Sequence, residues 1–391
     1  MRVVFLAHSY PRHPGDLAGS FLLRLALALR DVGVDVRVLA PAAAGLLPRD
    51  DIDGVPVARY RYAPRSLETL AYTGVMADAV RASWGARLAL GGLLAASAVA
   101  TRRAVRAWQA DVVHAHWWFP GGAAAAAPGA SAGRPLVITM HGSDVRLARA
   151  VGPARAAYAR VARRASAVTA VSSYLCAEAM AMAPNVTCAV APMPVAAELF
   201  HPPSPGVRRA GVLFIGRLTK QKGVDALLRA PALGEWDAPV TVCGSGPEES
   251  ALRALASELG LGQRVRWIPT QPQPRLTELY QRAAVVAMPS HEEGLGLVAV
   301  EAALCGTPVV GFRSGGLVDV VREGETGTLV PPGDTGALAR ALRALVDDPA
   351  RAQVMGACAL AAAGRFTPAA AAAQYRGLYE RAIAARARHV P

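Results

Sequence analysis

The sequence predicts an α/β protein made of two doubly wound domains. Three observations carry that expectation. Short apolar runs recur, each followed by a glycine-bearing loop and then a helical pattern: residues 3–7, 8–19 and 20–30 near the start, and 211–215, 216–223 and onward past the middle. Strand, loop and helix in that order are the repeating unit of a parallel sheet. Between the two series lies a proline-rich stretch, 191–211, with Pro192, Pro194, Pro202, Pro203 and Pro205. It reads as the linker. The length of 391 residues suits two domains with substantial cores. The expected division is 1–195, 206–365 and a terminal helical segment, 366–391.

Composition narrows the function classes. Net charge is +13. Residues 1–200 hold 21 basic and 12 acidic side chains, against 21 and 17 in the remainder, so the first half carries most of the excess. Such a surface suits nucleic acid, an anionic membrane or a phosphorylated substrate. No zinc-finger spacing and no aromatic-glycine RNA signature is present, which argues against nucleic acid. The longest strongly apolar stretch without charge, 88–101, is too short to span a bilayer. The first residues read as a strand rather than a signal peptide. Five cysteines without CxxC spacing argue against a disulfide framework and for a reducing, cytoplasmic setting.

In chain order, residues 3–7 form the first strand. Gly19 precedes the first helix, where it suits either a tight turn or a close approach of substrate. Residues 34–39 are the next strand. Residues 61–110 read as helical, alanine-rich and basic. Arg81, Arg87, Arg102, Arg103 and Arg106 have no acid among residues 79–110, and Trp84 and Leu88 lie beside them. That pattern fits a helix lying on anionic lipid, or a solvated helix pair with arginine tips. Residues 111–116 are a strand that puts His114 and His116 on one face. Two such histidines suit a metal, but no third ligand is evident, so substrate contact or packing is the stronger reading. His141, followed by Gly142, ends the strand 136–140, where open α/β sheets bind ligands. Ser172 ends the strand-like run 167–172 and suits either that edge or a helix cap.

In the second series, Gly216 follows the strand 211–215. Arg217 and Lys222 stand in the next loop, and the chain's two lysines, Lys220 and Lys222, both fall there. A fork and a point charge both suit phosphate oxygens. The stretch 240–247 resembles the start of a dinucleotide fingerprint, but its third glycine is replaced by Glu249. Residues 265–268 and 285–288 are strands. A strand at 309–310 and a hairpin-like turn at 324–327 close the core. From Thr335 the pattern is helical, with a break near Phe366-Thr367-Pro368.

The most informative stretch is 289–308. A strand ends, Gly294 and Gly296 follow, and an apolar helix starts. A helix start offers unpaired N–H groups and the positive end of the dipole. Glu293 and Glu301 flank it. Eight residues of helix would separate them by about 12 Å, the span from sugar to ribose across a diphosphate. The stretch reads as a clamp for a nucleotide sugar.

With these pieces in hand, the chain resembles the retaining glycosyltransferases of family 4, of GT-B fold: two Rossmann-like domains facing across a cleft. The resemblance rests on Gly216-Arg217-Leu218 with Lys222-Gly223, Gly244-Ser245-Gly246-Pro247, Pro289-Ser290 with Glu293-Gly294-Leu295-Gly296-Leu297, Glu301-Ala302, Gly306-Thr307-Pro308, Gly315-Gly316 and Gly324-Glu325-Thr326-Gly327. It implies that Glu301 holds the ribose hydroxyls and Glu293 faces the transferred sugar. Arg217 and Lys222 would neutralise the diphosphate. Backbone N–H groups from Leu295 to Val298 would bind it, and His141 would reach the donor sugar. His116 and Ser172 are candidates for the acceptor. The final helix would cross back to the first domain. Met193-Pro194 stands where the family has Asn-Gly, Ala283-Ala284-Val285 where it has Ala-Asp-Val, Leu295 where an aromatic is usual, and Asp319 where Glu is frequent.

The expected reaction moves a sugar, a hexose by expectation, from a UDP-, GDP- or ADP-sugar to a hydroxyl acceptor with retention. No cofactor and no metal is expected. A lipid-linked or cell-surface glycan, with a peripheral position on the inner face of the membrane, suits the basic first half. The rival readings are a nucleotide-sugar epimerase of the same fold and a non-catalytic sugar-nucleotide or membrane-binding scaffold.

Overall fold

The structure is a computed structural model that describes residues 1–388 apart from Leu17, residues 73–75 and Glu235. The chain divides into two compact units. Unit 1 is Met1–Pro194 together with the chain from Pro368 onward; unit 2 is Val195–Thr367.

Unit 1 is built on an eight-stranded sheet. Its strands are β1 (Arg2–Leu6), β2 (Asp35–Pro41), β3 (Arg49–Ile52), β4 (Val55–Tyr60), β5 (Val112–His116), β6 (Leu136–Met140), β7 (Ala167–Ala170) and β8 (Cys188–Val190), in the order β3-β4-β2-β1-β5-β6-β7-β8. Among the described residues only the β3–β4 pair is antiparallel. Central strands such as β5 and β6 are buried at every residue, so their polar members His114, His116 and Thr139 are enclosed along with the apolar ones. Leu6 pairs with Leu39 of β2 and Ala115 of β5, so the loops after these strands emerge at one edge.

The β3–β4 hairpin lies outside the predicted strands. Its signal was present: Asp53-Gly54 turns the chain with φ of 53° and 84°, the pair of left-handed residues a two-residue hairpin loop requires. The expected helix at 61–110 starts later. Glu68 accepts from the Tyr62 amide at 3.1 Å and from Arg61 Nε at 2.8 Å, folding residues 61–70 into a local loop, while Tyr62 and Leu70 pack against Leu93. Helices follow at Met76–Ala82 and Trp84–Trp108. The apolar run 88–101, too short alone, lies inside the latter. As part of a 25-residue helix it becomes long and apolar enough to cross a membrane, with about a third of its apolar window buried in the protein. The final helix, Pro368–Ala387, belongs to unit 1. Tyr375 OH donates to Ala191 O at 2.9 Å and Arg376 to Val32 O at 3.0 Å.

Unit 2 holds a six-stranded parallel sheet. Its strands are β9 (Val212–Ile215), β10 (Val240–Cys243), β11 (Val265–Ile268), β12 (Val285–Met288), β13 (Val309–Phe312) and β14 (Gly327–Val330), in the order β11-β10-β9-β12-β13-β14. The stretch 324–327, expected as hairpin-like, makes a tight turn with Gly324 N donating to Gly327 O at 2.9 Å, and it leads into β14, which runs parallel to β13. The proline-rich residues after Pro194 are not a loose tether. Thr277 Oγ1 donates to Leu199 O at 2.9 Å, and Phe200 packs edge-on against Tyr280, so this segment is part of unit 2.

Candidate active site

In unit 2 the loops after β9, β10 and β12 converge. Gly244 follows β10 with φ of 151°, and a Cβ there would lie 1.8 Å from Gly216 O, so only glycine lets the two loops pass. Arg217 is exposed and lines a cavity of about 400 Å³ with Gly216, Gly244, Ser245, Thr270 and Gln271.

The loop 216–223 is fastened to the loop 289–293. His291 N donates to Gln221 O at 2.9 Å, and Gln221 Nε2 donates to Glu292 O at 2.7 Å. Lys222 Nζ forms an ion pair with Glu293 Oε1, and Ser290 Oγ donates to the same oxygen at 2.9 Å. Gly316 N donates to the carbonyl of Glu293 at 2.9 Å. Glu293 is buried, and Lys222 remains about a quarter exposed. With the carboxylate buried and the ammonium partly exposed, the pair is neutral overall and turns its positive end outward.

Beside this pair Gly296, left-handed at φ 89°, caps the helix Leu297–Leu304. No side chain caps it. The first N–H groups of a helix have no acceptor in the helix itself. Glu301 is buried on the fifth residue of that helix and accepts from Tyr280 OH at 2.7 Å. Burial, and then Glu301, push the Tyr280 hydroxyl well above its ordinary range, so it stays a proton donor. The helix begins only at Leu297, so the 12 Å estimate, which assumed helix from Glu293, does not hold: residues 293–296 are not helical. Tyr280 was not anticipated, and nothing in its local sequence marks it; Ser290 lies in the quoted motif Pro289-Ser290, but no role was expected of it.

The matching edge of unit 1 is different in kind. His141 directly follows β6, and His8 follows β1 by one residue. Trp117, directly after β5, sits between them with ring centroids 4.4 Å from His8 and 4.5 Å from His141; Phe21 is 5.3 Å from His141. Trp117 holds φ of 65°, a strained conformation for a bulky residue. Asp144 is buried and accepts from the amides of Trp118 (3.0 Å), His141 (3.1 Å) and Gly142 (3.0 Å), which fixes both strand ends. Burial pushes its carboxyl up against the pull of those amides. His8, Phe21, Trp117 and Asp144 were not anticipated. The position of His8 just past a strand, like that of His141, was the available signal.

His116 is fully buried, with Nδ1 at 3.3 Å from His141 Nε2. Burial pushes both imidazoles well below their usual range, and that of His8 down to about 4. His114 uses both ring nitrogens internally, with Tyr379 OH at 2.8 Å and Thr139 Oγ1 at 2.7 Å. Among the described residues no group of three His, Cys, Asp or Glu is placed to hold a metal. Ser172 is fully buried and caps the helix Ser173–Met182, accepting from Leu175 N at 3.3 Å. Gly19, left-handed at φ 72°, is required by the chain itself: a Cβ there would lie 2.8 Å from Ser9 O.

Known proteins share both halves. Residues 18–197 match the family described as Glycosyltransferase Family 4, and residues 202–360 match Glycosyl transferases group 1. A D-inositol 3-phosphate glycosyltransferase of Thermobispora bispora is 32% identical over 96% of this chain and 93% of its own length. D-inositol 3-phosphate glycosyltransferase 1 of Catenulispora acidiphila is 37% identical over 70% of this chain and 72% of its own. In fold, the chain is similar to sucrose-phosphate synthase from Thermosynechococcus elongatus, with a TM-score of 0.81, 22% identity, and coverage of 98% of this chain and 99% of that one. It is also similar to an Anabaena protein solved in complex with UDP and glucose, with a TM-score of 0.71, 22% identity, and coverage of 97% and 99%.

Proposed function

The chain belongs to the family 4 glycosyltransferases, and on that premise we propose how its residues carry out sugar transfer. It is a nucleotide-sugar-dependent glycosyltransferase. One observation carries the proposal for the donor: the loops 216–223 and 289–293 are locked together by Lys222 and Glu293 beside the start of the helix Leu297–Leu304, whose cap, Gly296, brings no side chain to its N–H groups. A diphosphate on the N–H groups of Leu297 and Val298 meets positive charge from Arg217 and Lys222. Glu301, held by Tyr280, takes the ribose hydroxyls. The Anabaena structure with UDP and glucose supports uracil as the donor's base.

The transfer proceeds with retention. The bond from the sugar's anomeric carbon to the phosphate oxygen breaks, the acceptor oxygen bonds to that carbon on the same face, and the acceptor's proton moves to the departing phosphate. Charge grows on that phosphate, and the two cations and the helix amides stabilise it. The acceptor is a hydroxyl on a phosphate-bearing molecule. The relatives' name, D-inositol 3-phosphate glycosyltransferase, supports a phosphorylated polyol; the basic first half supports a lipid-linked glycan.

The helix Trp84–Trp108 supports a position on the inner face of the membrane. Trp84 and Leu88 are 76% and 73% exposed, Val99 is 50% exposed, and Arg87 stacks on Trp84. Arg102, Arg103 and Arg106 stand exposed at the far end. An apolar strip with arginines at both ends fits anionic lipid.

The test is a matrix of UDP-, GDP- and ADP-sugars against inositol phosphate and lipid-linked glycans, with NMR of the product's anomeric configuration. Transfer from the UDP-sugar with retention is expected, and no turnover of donor alone. Conversion of donor without acceptor would mean an epimerase. A co-crystal placing UDP away from Leu297 would overturn the donor site. Pelleting with phosphatidylglycerol vesicles, weakened by Trp84→Ala with Leu88→Ala, tests the membrane face; equal pelleting of the variant overturns it.

A further inference from the structure

The unit 1 edge contains a pair of imidazoles in contact, and only one of the two reaches the surface. His116 Nδ1 lies 3.3 Å from His141 Nε2. His116 is fully buried, and its other nitrogen, Nε2, is dry and has no partner among the described residues. His141 is half-buried. We propose that His116 is a positioning residue that fixes the ring and tautomer of His141, so that His141 offers an Nδ1–H to a hydroxyl or phosphate oxygen of the ligand.

The argument is one of proton placement. Two neutral imidazoles in contact share one proton between the facing nitrogens. If His141 supplied it, His116 would carry its own proton on Nε2, as a buried donor with no acceptor. Buried N–H groups without partners are rarer than acceptors left short. If His116 supplies it from Nδ1, the dry Nε2 is a bare lone pair against apolar neighbours. The proton of His141 then sits on Nδ1, where solvent or a ligand can meet it.

The surroundings prevent the pair from rearranging. Phe5 packs on His116 with centroids 4.7 Å apart, and His114 lies at 4.1 Å. His114 cannot turn to compete, because Tyr379 and Thr139 occupy both its nitrogens. Trp117 and Phe21 flank the ring of His141. Burial keeps both members of the pair neutral, so the hydrogen bond to the ligand is made without a buried charge.

This inference rests on the sugar-transfer reading for its ligand, but its first test does not. Long-range proton–nitrogen NMR on the 15N-labelled full chain should show His141 with a protonated Nδ1 and a bare Nε2. The opposite pattern, or a fast average of the two, overturns the proposal whatever the enzyme transfers. The second test is kinetic. His116→Phe should lose the fixed tautomer and about tenfold in kcat/KM, the loss expected when an oriented histidine loses its partner. His116→Asn, whose amide occupies the place of Nδ1, should restore both; His116→Gln should restore neither. If all three variants melt like the parent and turn over equally, His116 positions nothing. If the tautomer is as stated and no donor is transferred, the sugar-transfer reading fails and the pairing stands.

Discussion

The two units present the same architectural feature, the C-terminal edge of a parallel sheet, with opposite chemistry. In unit 2 the edge is lined by Arg217, Lys222, Glu293 and Glu301, with glycines where loops cross. In unit 1 it is lined by His8, His141, Trp117 and Phe21, over a buried His116. One edge is charged and backbone-rich, as a diphosphate requires. The other is neutral and aromatic, as hydroxyls and ring faces require. The fold supplies the location, and the side chains decide what can bind there.

Acid should separate the two edges most strongly. His8 and His114 are held neutral by burial, at about 4 and about 3, against roughly 6.5 when unfolded. Below 6.5 the unfolded chain takes up protons that the folded unit refuses. Their contribution is therefore complete above 6.5 and is lost as pH falls toward 4, at up to about 1.4 kcal/mol per pH unit for each histidine. In unit 2, His201 and His291 are exposed. Hydrogen exchange resolved by unit should show unit 1 loosening first between pH 6.5 and 4.5; equal loosening of both breaks the contrast.

Next in size is the charged edge. Arg217→Ala with Lys222→Ala should lower kcat by roughly 100- to 1,000-fold in steady-state assays, with a lower melting temperature as well, because the buried Glu293 carboxylate loses its cation. Unchanged turnover would remove the diphosphate from this edge. Glu301→Ala should raise the donor KM by about 10- to 100-fold, and Tyr280→Phe by less, since it removes only the hydrogen bond that holds the carboxylate. A larger effect from Tyr280 would mean that Glu301 is structural.

Gly223→Ala tests the crossing of loops rather than the chemistry. A Cβ there would lie 2.0 Å from Pro289 O, at φ of 64°. The cost should be about 1–3 kcal/mol, read as a lower melting temperature of unit 2. The smallest effect belongs to Ser172→Ala, which loses a helix cap worth about 1 kcal/mol. A rise in acceptor KM without loss of stability would instead place Ser172 against the substrate.

Much of this was legible in the sequence, but unevenly. The glycines at 216, 223, 244 and 296 and the charges at 217, 222, 293 and 301 lie in short motifs, so their local setting could be read directly. The Asp53-Gly54 hairpin was equally local. The start of the helical region near residue 61 was not, because an alanine-rich run keeps helical spacing where a side chain such as Glu68 has already tied the backbone into a loop. Nor could the sequence tell which polar groups at strand ends were already occupied. His114 and Ser172 look like His141 in pattern, yet Tyr379, Thr139 and Leu175 engage them internally.

By itself, then, the sequence determined the succession of strands, loops and helices and the charges they carry, because periodicity and turn chemistry act between near neighbours. The tertiary structure decided which loops meet. β9 pairs with β10 on one side and β12 on the other. That strand order, set by long-range backbone pairing, brings Lys222 to Glu293 across 71 residues of chain, and it is written in no single segment.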